Sequence, residues 1–338
     1  MIKIIKTFLL LFAIGYLPNA TAAQFNLPSI GDIKPSISLA SDSLTPFPNS
    51  TITITANLSG LTGAGGSNYV WFLNGARQTE ASGLSKNSFA FRTGVIGTTY
   101  RASASVTTPT GDVLSDTINF TVSDIDLTWI ANSKAPVTYK AKLMPTQNSF
   151  VTVSALPTVY RPGTKAQISS SNLLYNWMPN GKIDSSKSGK NRTTYAFRIS
   201  NFSGNSQFIR LEIKTDDGAA FLSKDVLIPT VKPQVFLYFS DSQTNLPYGV
   251  ALKNLSAKPA DFNFTAQNYF FNALGNNLKW RWFINNTEVD SKNENPWLAT
   301  LNLKSKTLGQ FSTQIKVTAQ NTSNELEIAE SITNLEIR

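Results

Sequence analysis

The chain has 338 residues, with 30 lysines and arginines against 21 aspartates and glutamates, and neither cysteine nor histidine. Those two absences exclude disulfide staples, Cys/His zinc sites, histidine-ligated haem and every nucleophile–base pair that needs a thiol or an imidazole. Carboxylate chemistry, Ser–Lys chemistry and calcium are what remain open.

Reading from the first residue, Lys3 and Lys6 precede an uncharged apolar run over residues 7–17, broken by Pro18 and Asn19, with Ala20, Thr21, Ala22 and Ala23 behind it. That order predicts a secretory signal peptide over residues 1–23, cleaved after about Ala22 or Ala23, and therefore a secreted or cell-surface location. No later segment approaches the ~18 consecutive apolar residues of a membrane span.

The rest of the chain repeats one pattern three times. Trp71, Trp177 and Trp282 lie 106 and 105 residues apart, each two residues after an aromatic (Tyr69, Tyr175, Trp280) and three before a turn pair (Asn74-Gly75, Asn180-Gly181, Asn285-Asn286). Upstream of each Trp runs an alternating strand: Ile52, Ile54 and Ala56; Val151, Val153 and Ala155; Phe262, Phe264 and Ala266. Period-two alternation wets one face and buries the other. Downstream, Phe91 and Phe197 stand twenty residues after their Trp, whereas the third copy offers Leu301 and Leu303, one residue out of step. Further alternating runs and turns follow, at Gly111-Asp112, Asp216-Asp217-Gly218 and residues 321–324. About seven short strands per copy, with a Trp on the third, predict all-β immunoglobulin-like antiparallel sandwiches. Pro and polar clusters near 123–126 and 228–233 divide the chain into repeats 24–123, 124–230 and 231–338, joined by linkers short enough for an extended rod.

At these residues the chain resembles bacterial immunoglobulin-like and PKD-like repeats. More closely, through Tyr139-Lys140-Ala141-Lys142-Leu143-Met144-Pro145-Thr146 and Asn268-Tyr269-Phe270-Phe271-Asn272-Ala273, it resembles signal-peptide-bearing tandem sandwich proteins of candidate phyla radiation bacteria. The resemblance implies a fold and an extracytoplasmic location and supplies no site residues. The acidic Gly-Asp-Gly turn of PKD repeats is missing after the Trp strand.

Trp71, Trp177 and Trp282 recur at one place in the repeat, which marks core positions. Trp129 and Trp297 fall outside that scheme, and an exposed one would suit a sugar-binding module. Asp216-Asp217-Gly218 reads as a hairpin turn before a calcium loop, one acidic pair being far short of six oxygens. Carboxylates are scattered and the Ser/Lys neighbours (Ser82, Ser85 and Lys86; Ser185, Ser186 and Lys187) share no repeated context, so a non-catalytic protein without cofactors is expected. Charge is uneven: Lys and Arg against Asp and Glu number 5 and 5, 13 and 7, and 10 and 9 in the three repeats. Lys182, Lys187, Lys190 and Arg192 cluster in the basic middle repeat as candidate ligands for an anionic surface polymer, nucleic acid or lipid head groups, with Lys304 and Lys306 as contrasting positions in the third. The expected function is a non-catalytic binding or adhesion module of an envelope or pilus-related assembly, touching a protein or an anionic polymer. A spacer without a ligand of its own and a carbohydrate-binding module are the alternatives.

Overall fold

The computed structural model describes residues 34–61, 66–200, 202–291, 294–303 and 311–338. The signal-peptide expectation and Lys304 and Lys306 lie outside them. Eight strands come first: β1 (Ser36–Ser41), β2 (Thr51–Ser59), β3 (Asn68–Leu73), β4 (Ala76–Arg77), β5 (Gly83–Leu84), β6 (Ser88–Arg92), β7 (Thr99–Thr107) and β8 (Val113–Thr121). Then come β9 (Asp124–Ala131), β10 (Phe150–Thr158), β11 (Leu173–Pro179), β12 (Gly189–Lys190), β13 (Thr194–Arg198), β14 (Ser206–Thr215) and β15 (Phe221–Pro229). The last group is β16 (Gln234–Ser240), β17 (Pro247–Tyr248), β18 (Asn254–Ala257), β19 (Asp261–Tyr269), β20 (Leu278–Ile284), β21 (Thr287–Val289), β22 (Leu298–Asn302), β23 (Phe311–Asn321) and β24 (Asn324–Ile337).

The strands form three pairs of sheets. In the first sandwich β1-β2-β6 faces β4-β3-β7-β8; in the second β9-β10-β13 faces β12-β11-β14-β15; in the third β17-β16-β19-β22 faces β18-β24-β23-β20-β21. All pairings between these strands are antiparallel except that of β18 with β24. Three separate hydrophobic cores lie between the sheets, running from Ile52 to Phe120, from Ile125 to Ile228 and from Val235 to Ile337. The chain is thus a tandem array of immunoglobulin-like β-sandwiches.

The alternation of each second strand is what sorts its residues. On β2, Ile52, Ile54 and Ala56 are buried while Thr51 and Thr53 face water. The hairpin after each Trp strand turns on residues with positive φ: Asn74 and Gly75, Asn180 and Gly181, Asn285 and Asn286. Asparagine and glycine tolerate that conformation, which matches the right-handed twist of the flanking strands.

Each Trp fixes the loop that follows it. The indole N–H of Trp71 donates to the Lys86 carbonyl at 2.9 Å, that of Trp177 to the Arg192 carbonyl at 2.8 Å, and that of Trp282 to the Pro296 carbonyl at 2.9 Å. The acceptor is fifteen residues downstream in the first two copies and fourteen in the third, so the third copy is one residue short between Trp282 and Pro296. The ladders confirm the shift: Ile52 pairs with Phe91, Val151 with Phe197 and Phe262 with Leu301. Leu301 is therefore in step with the two phenylalanines, and the apparent mismatch is a shorter loop. Bulk also changes sides. Ile54 faces Phe89 and Val153 faces Tyr195, but Phe264 faces Ala299, so the large aromatic sits on the other strand of the pair in the third copy.

The position two before each Trp carries a polar tip that must be satisfied inside the core. Tyr175 Oη donates to the Ser170 carbonyl at 3.0 Å and Trp280 Nε1 to the Gly275 carbonyl at 2.9 Å, each five residues back at a short 3-10 turn.

Burial raises both tyrosines of the second core, Tyr175 to about 12 and Tyr195 to about 12, the Asp184 carboxyl adding to the rise at Tyr195. A phenol held neutral by the fold contributes stability that is complete below pH 10 and lost as the pH climbs toward 12. The second sandwich is expected to lose melting temperature over that window, in step with the growth of phenolate ultraviolet absorbance. A melting temperature that stays flat there would show these phenols to be accessible.

Candidate functional site

Two regions are worked above the level of ordinary packing: the loop after Trp177 and the junctions between sandwiches. The loop over residues 180–192 is tied down at both ends. The Trp177 N–H donates to Ser188 Oγ at 2.9 Å, and the Asp184 N–H to the Trp177 carbonyl at 2.9 Å. Lys182, Lys187 and Arg192 are exposed on it, and Lys190, expected on a polar loop, is exposed on the short strand β12 within it, opposite Leu174 of β11. They share the surface with two acids. Lys190 Nζ pairs with Asp216 Oδ2 at 3.0 Å, both half-exposed. Asp184 accepts from Ser186 and Tyr195, and the Ser186 hydroxyl heads the causes that hold its carboxyl below the usual range. Lys190 is neutralised by its acid, whereas Lys182, Lys187 and Arg192 have no ion pair within 4.0 Å among the described residues.

Asp216 and Asp217 occupy the β14–β15 turn, and each meets a cation: Lys190, and Arg161 Nη1 at 3.1 Å from Asp217 Oδ2. Asp217 is also held acidic, first by the Thr215 hydroxyl and then by the Ala219 N–H. Among the described residues no three acidic side chains converge. Trp71 and Trp177 are fully buried and Trp282 nearly so. Trp129 is buried as well, with Lys142 Nζ 3.5 Å above its ring, so it offers no open face for a sugar. Trp297 is half-buried against the third core.

The junction between the second and third sandwiches joins the two segments singled out in the sequence, 139–146 and 268–273. Lys134 and Phe271 form an isolated antiparallel bridge: the Lys134 N–H donates to the Phe271 carbonyl and the Phe270 N–H to the Lys134 carbonyl, both at 2.6 Å. Phe270 sits at φ 62°, an uncommon conformation for an aromatic residue, costing about 1–3 kcal/mol and persisting only where the surroundings hold it. Here the bridge does so, together with the Tyr139 ring edge-on to Phe270 at 5.5 Å and to Tyr269 at 5.8 Å.

Beside the bridge lies a buried polar network. Glu327, only 5% exposed, accepts from the Asn272 N–H at 2.7 Å, from Thr146 Oγ1 at 3.3 Å and from the Asn321 side-chain amide. Asn272 in turn takes the Ser149 hydroxyl at 2.6 Å and gives its amide to the Gln147 carbonyl at 3.0 Å. The linker joins in, the Val231 N–H donating to the Pro145 carbonyl at 2.9 Å. A buried carboxyl so placed is costly unless every oxygen is satisfied, and here the donors come from both sandwiches.

The first junction is built similarly. Thr45 Oγ1 donates to the Phe221 carbonyl at 2.7 Å, Thr121 Oγ1 to the Thr164 carbonyl at 3.0 Å, and the Tyr160 N–H to Ser123 Oγ at 3.1 Å. Gly163, at φ 73°, comes so close that a Cβ there would lie 2.6 Å from that of Asn119. No other residue type fits without moving one sandwich off the other.

No protein-family model and no curated protein matches the chain. Among solved structures, it is similar to the three N-terminal domains of the highly immunogenic outer capsid protein of bacteriophage RB49, with TM-score 0.27, 10% identity, and coverage of 90% of this chain and 100% of that one. Fibronectin(III)-like modules of Clostridium thermocellum CbhA give 0.27 and 14%, over 57% of this chain and 94% of that one. A bacterial ice-binding adhesin, from a structure concerned with host cell surface retention, gives 0.24 and 13%, over 89% and 96%. Likeness at this level fixes no function; the fold rests on the sheets and cores described above.

Proposed function

We propose that this chain is a non-catalytic extracytoplasmic arm of PKD-like bacterial type, with units 24–123, 124–230 and 231–338 held in a set orientation to present loops and strand edges to a partner at the cell envelope. The observation that carries the reading is the junction at Glu327, where donors from two sandwiches converge on one buried carboxyl group. Flexible tethering needs no such network; an arm that holds a surface at fixed distance and angle does. Small-angle scattering of the full chain tests this: one narrow distribution of dimensions supports the arm, and a broad ensemble refutes it. Protease shaving of intact cells tests the location, an extracytoplasmic arm being cleaved while cytoplasmic proteins survive.

The basic loop is the second feature of this reading. Among the described residues Lys182, Lys187 and Arg192 are without an ion pair, on a loop pinned to a core Trp. Reversing all three to Glu is expected to leave the melting temperature within a degree or two and to abolish retention on a heparin column, with binding to polyphosphate that falls steeply as salt rises in the parent. Equal retention of parent and variant would reduce the patch to a solubility feature and favour the spacer.

A further inference from the structure

On one flank of the third sandwich two sheet edges are only partly paired. Its sheets end in β16 on one side and β24 on the other, and residues 247–257 cross between them. β17 pairs with Phe239 and Ser240, the Leu252 N–H donates to the Leu237 carbonyl at 2.7 Å, and β18 takes the edge of β24 at residues 334–337. Toward the second sandwich the crossing stops. Among the described residues, the outer edge of β16 at 234–236 and that of β24 at 326–332 pair with no strand.

Between the two edges lies a cleft of about 610 Å³ lined by Val235, Phe236, Leu326 and Ile328, by Phe202 and Val231, and by polar groups that include Lys232, Gln234 and Glu330. Leu326 is 89% exposed, Phe202 69% and Ile328 52%; Ile332 is exposed on the same face of β24, with Glu330 between. Sheet edges are normally guarded by charge. In the first two sandwiches one polar contact crosses each such flank, the Leu39 N–H of β1 donating to Asp116 of β8 at 2.8 Å and Lys224 of β15 pairing with Asp124 of β9 at 3.0 Å, although Val113 on β8 and Leu227 on β15 are exposed there as well. At the corresponding flank the third sandwich sets Leu326, Ile328 and Ile332 around Glu330, with Lys232 on the cleft they border.

We propose that this cleft is a strand-accepting site, which takes an extended peptide segment of another protein onto the free edge of β24. An unpaired ladder is complemented by an extended backbone, and side chains at alternate positions set the specificity. The segment would set aliphatic residues beside Leu326, Ile328 and Ile332 and a lysine or arginine beside Glu330. The slot is bounded by β18 at one end and by Phe202 and Val231 at the other, a span of seven residues or roughly 23 Å. That suits a short peptide better than the long edge of a second folded sheet. The inference rests on the reading of the chain as a binding arm and names its partner's chemistry; its failure alone would leave a rigid arm without this contact.

The probe is a fluorescein-labelled, acetylated heptapeptide, Val-Lys-Val-Thr-Val-Lys-Val, and the same peptide with proline at its third and fifth positions. Titrated with the full chain, the first is expected to bind saturably by anisotropy and the second not to bind. Ile328→Lys should weaken binding by about tenfold or more with an unchanged melting temperature. Leu326→Lys should act alike, and Val113→Lys, an exposed aliphatic on the first sandwich, should have no effect. Absence of saturable binding overturns the proposal, as does equal binding of the proline peptide or full affinity in a folded Ile328→Lys. So does a dimer of this chain that Ile328→Lys dissolves while the peptide fails to bind.

Discussion

Trp177→Ala is expected to cost the second sandwich about 3–5 kcal/mol, the usual price of deleting a fully buried tryptophan. The ring is fully buried, stacks on Tyr195 at 5.6 Å and donates to the Arg192 carbonyl. Alanine leaves a cavity and an unpaired carbonyl together, and it frees the end of the loop that displays Lys182, Lys187 and Arg192. Differential scanning calorimetry should show one transition moving down by many degrees while those of the first and third sandwiches keep their places. Equal quenching of Trp177 fluorescence in the folded and unfolded chain would contradict the core position.

Glu327→Ala is expected to cost about 2–4 kcal/mol, because it strands donors on both sides of a buried junction. Its first consequence is at the Asn272 N–H, its second at Thr146 on the neighbouring sandwich. The strained Phe270 backbone then loses part of what holds it. The two sandwiches should melt at more widely separated temperatures, and the scattering profile should broaden. A double-mutant cycle with Thr146→Ala reads the coupling across the junction; a coupling energy of zero would mean that the contact transmits nothing. Glu327→Gln, which keeps the shape and one acceptor oxygen, should fall between the parent and alanine.

The repeat pattern was open to reading because it is enforced locally. Period-two burial dictates the alternation of Ile52, Ile54 and Ala56, and positive φ selects Asn and Gly after each Trp, so spacing alone locates the strands and the Trp positions. The same reading placed Lys182, Lys187, Lys190 and Arg192 on a polar loop, since no apolar period runs through them. It could not see that Asp216, twenty-six residues beyond Lys190, would return to pair with it.

Leu301 falls one residue out of step with Phe91 and Phe197 for a related reason. Counting from the Trp measures chain length, whereas the ladder measures position, and a loop one residue shorter changes the first without the second. The exchange of bulk between Phe264 and Ala299 hid the equivalence further.

What only the tertiary structure decided are the features made by residues far apart in sequence. Residues 139–146 and 268–273 stood out as strings, but nothing local says that they face each other. Glu327 is one of four glutamates in a strand of alternating character, and its burial follows from the neighbouring sandwich closing over it. The parallel strand β18, and with it the half-covered flank of the third sandwich, depends on a crossing between two sheets. Sequence period reports which side of a strand is dry; which edge is left unpaired is settled by how the sheets and their neighbours come together.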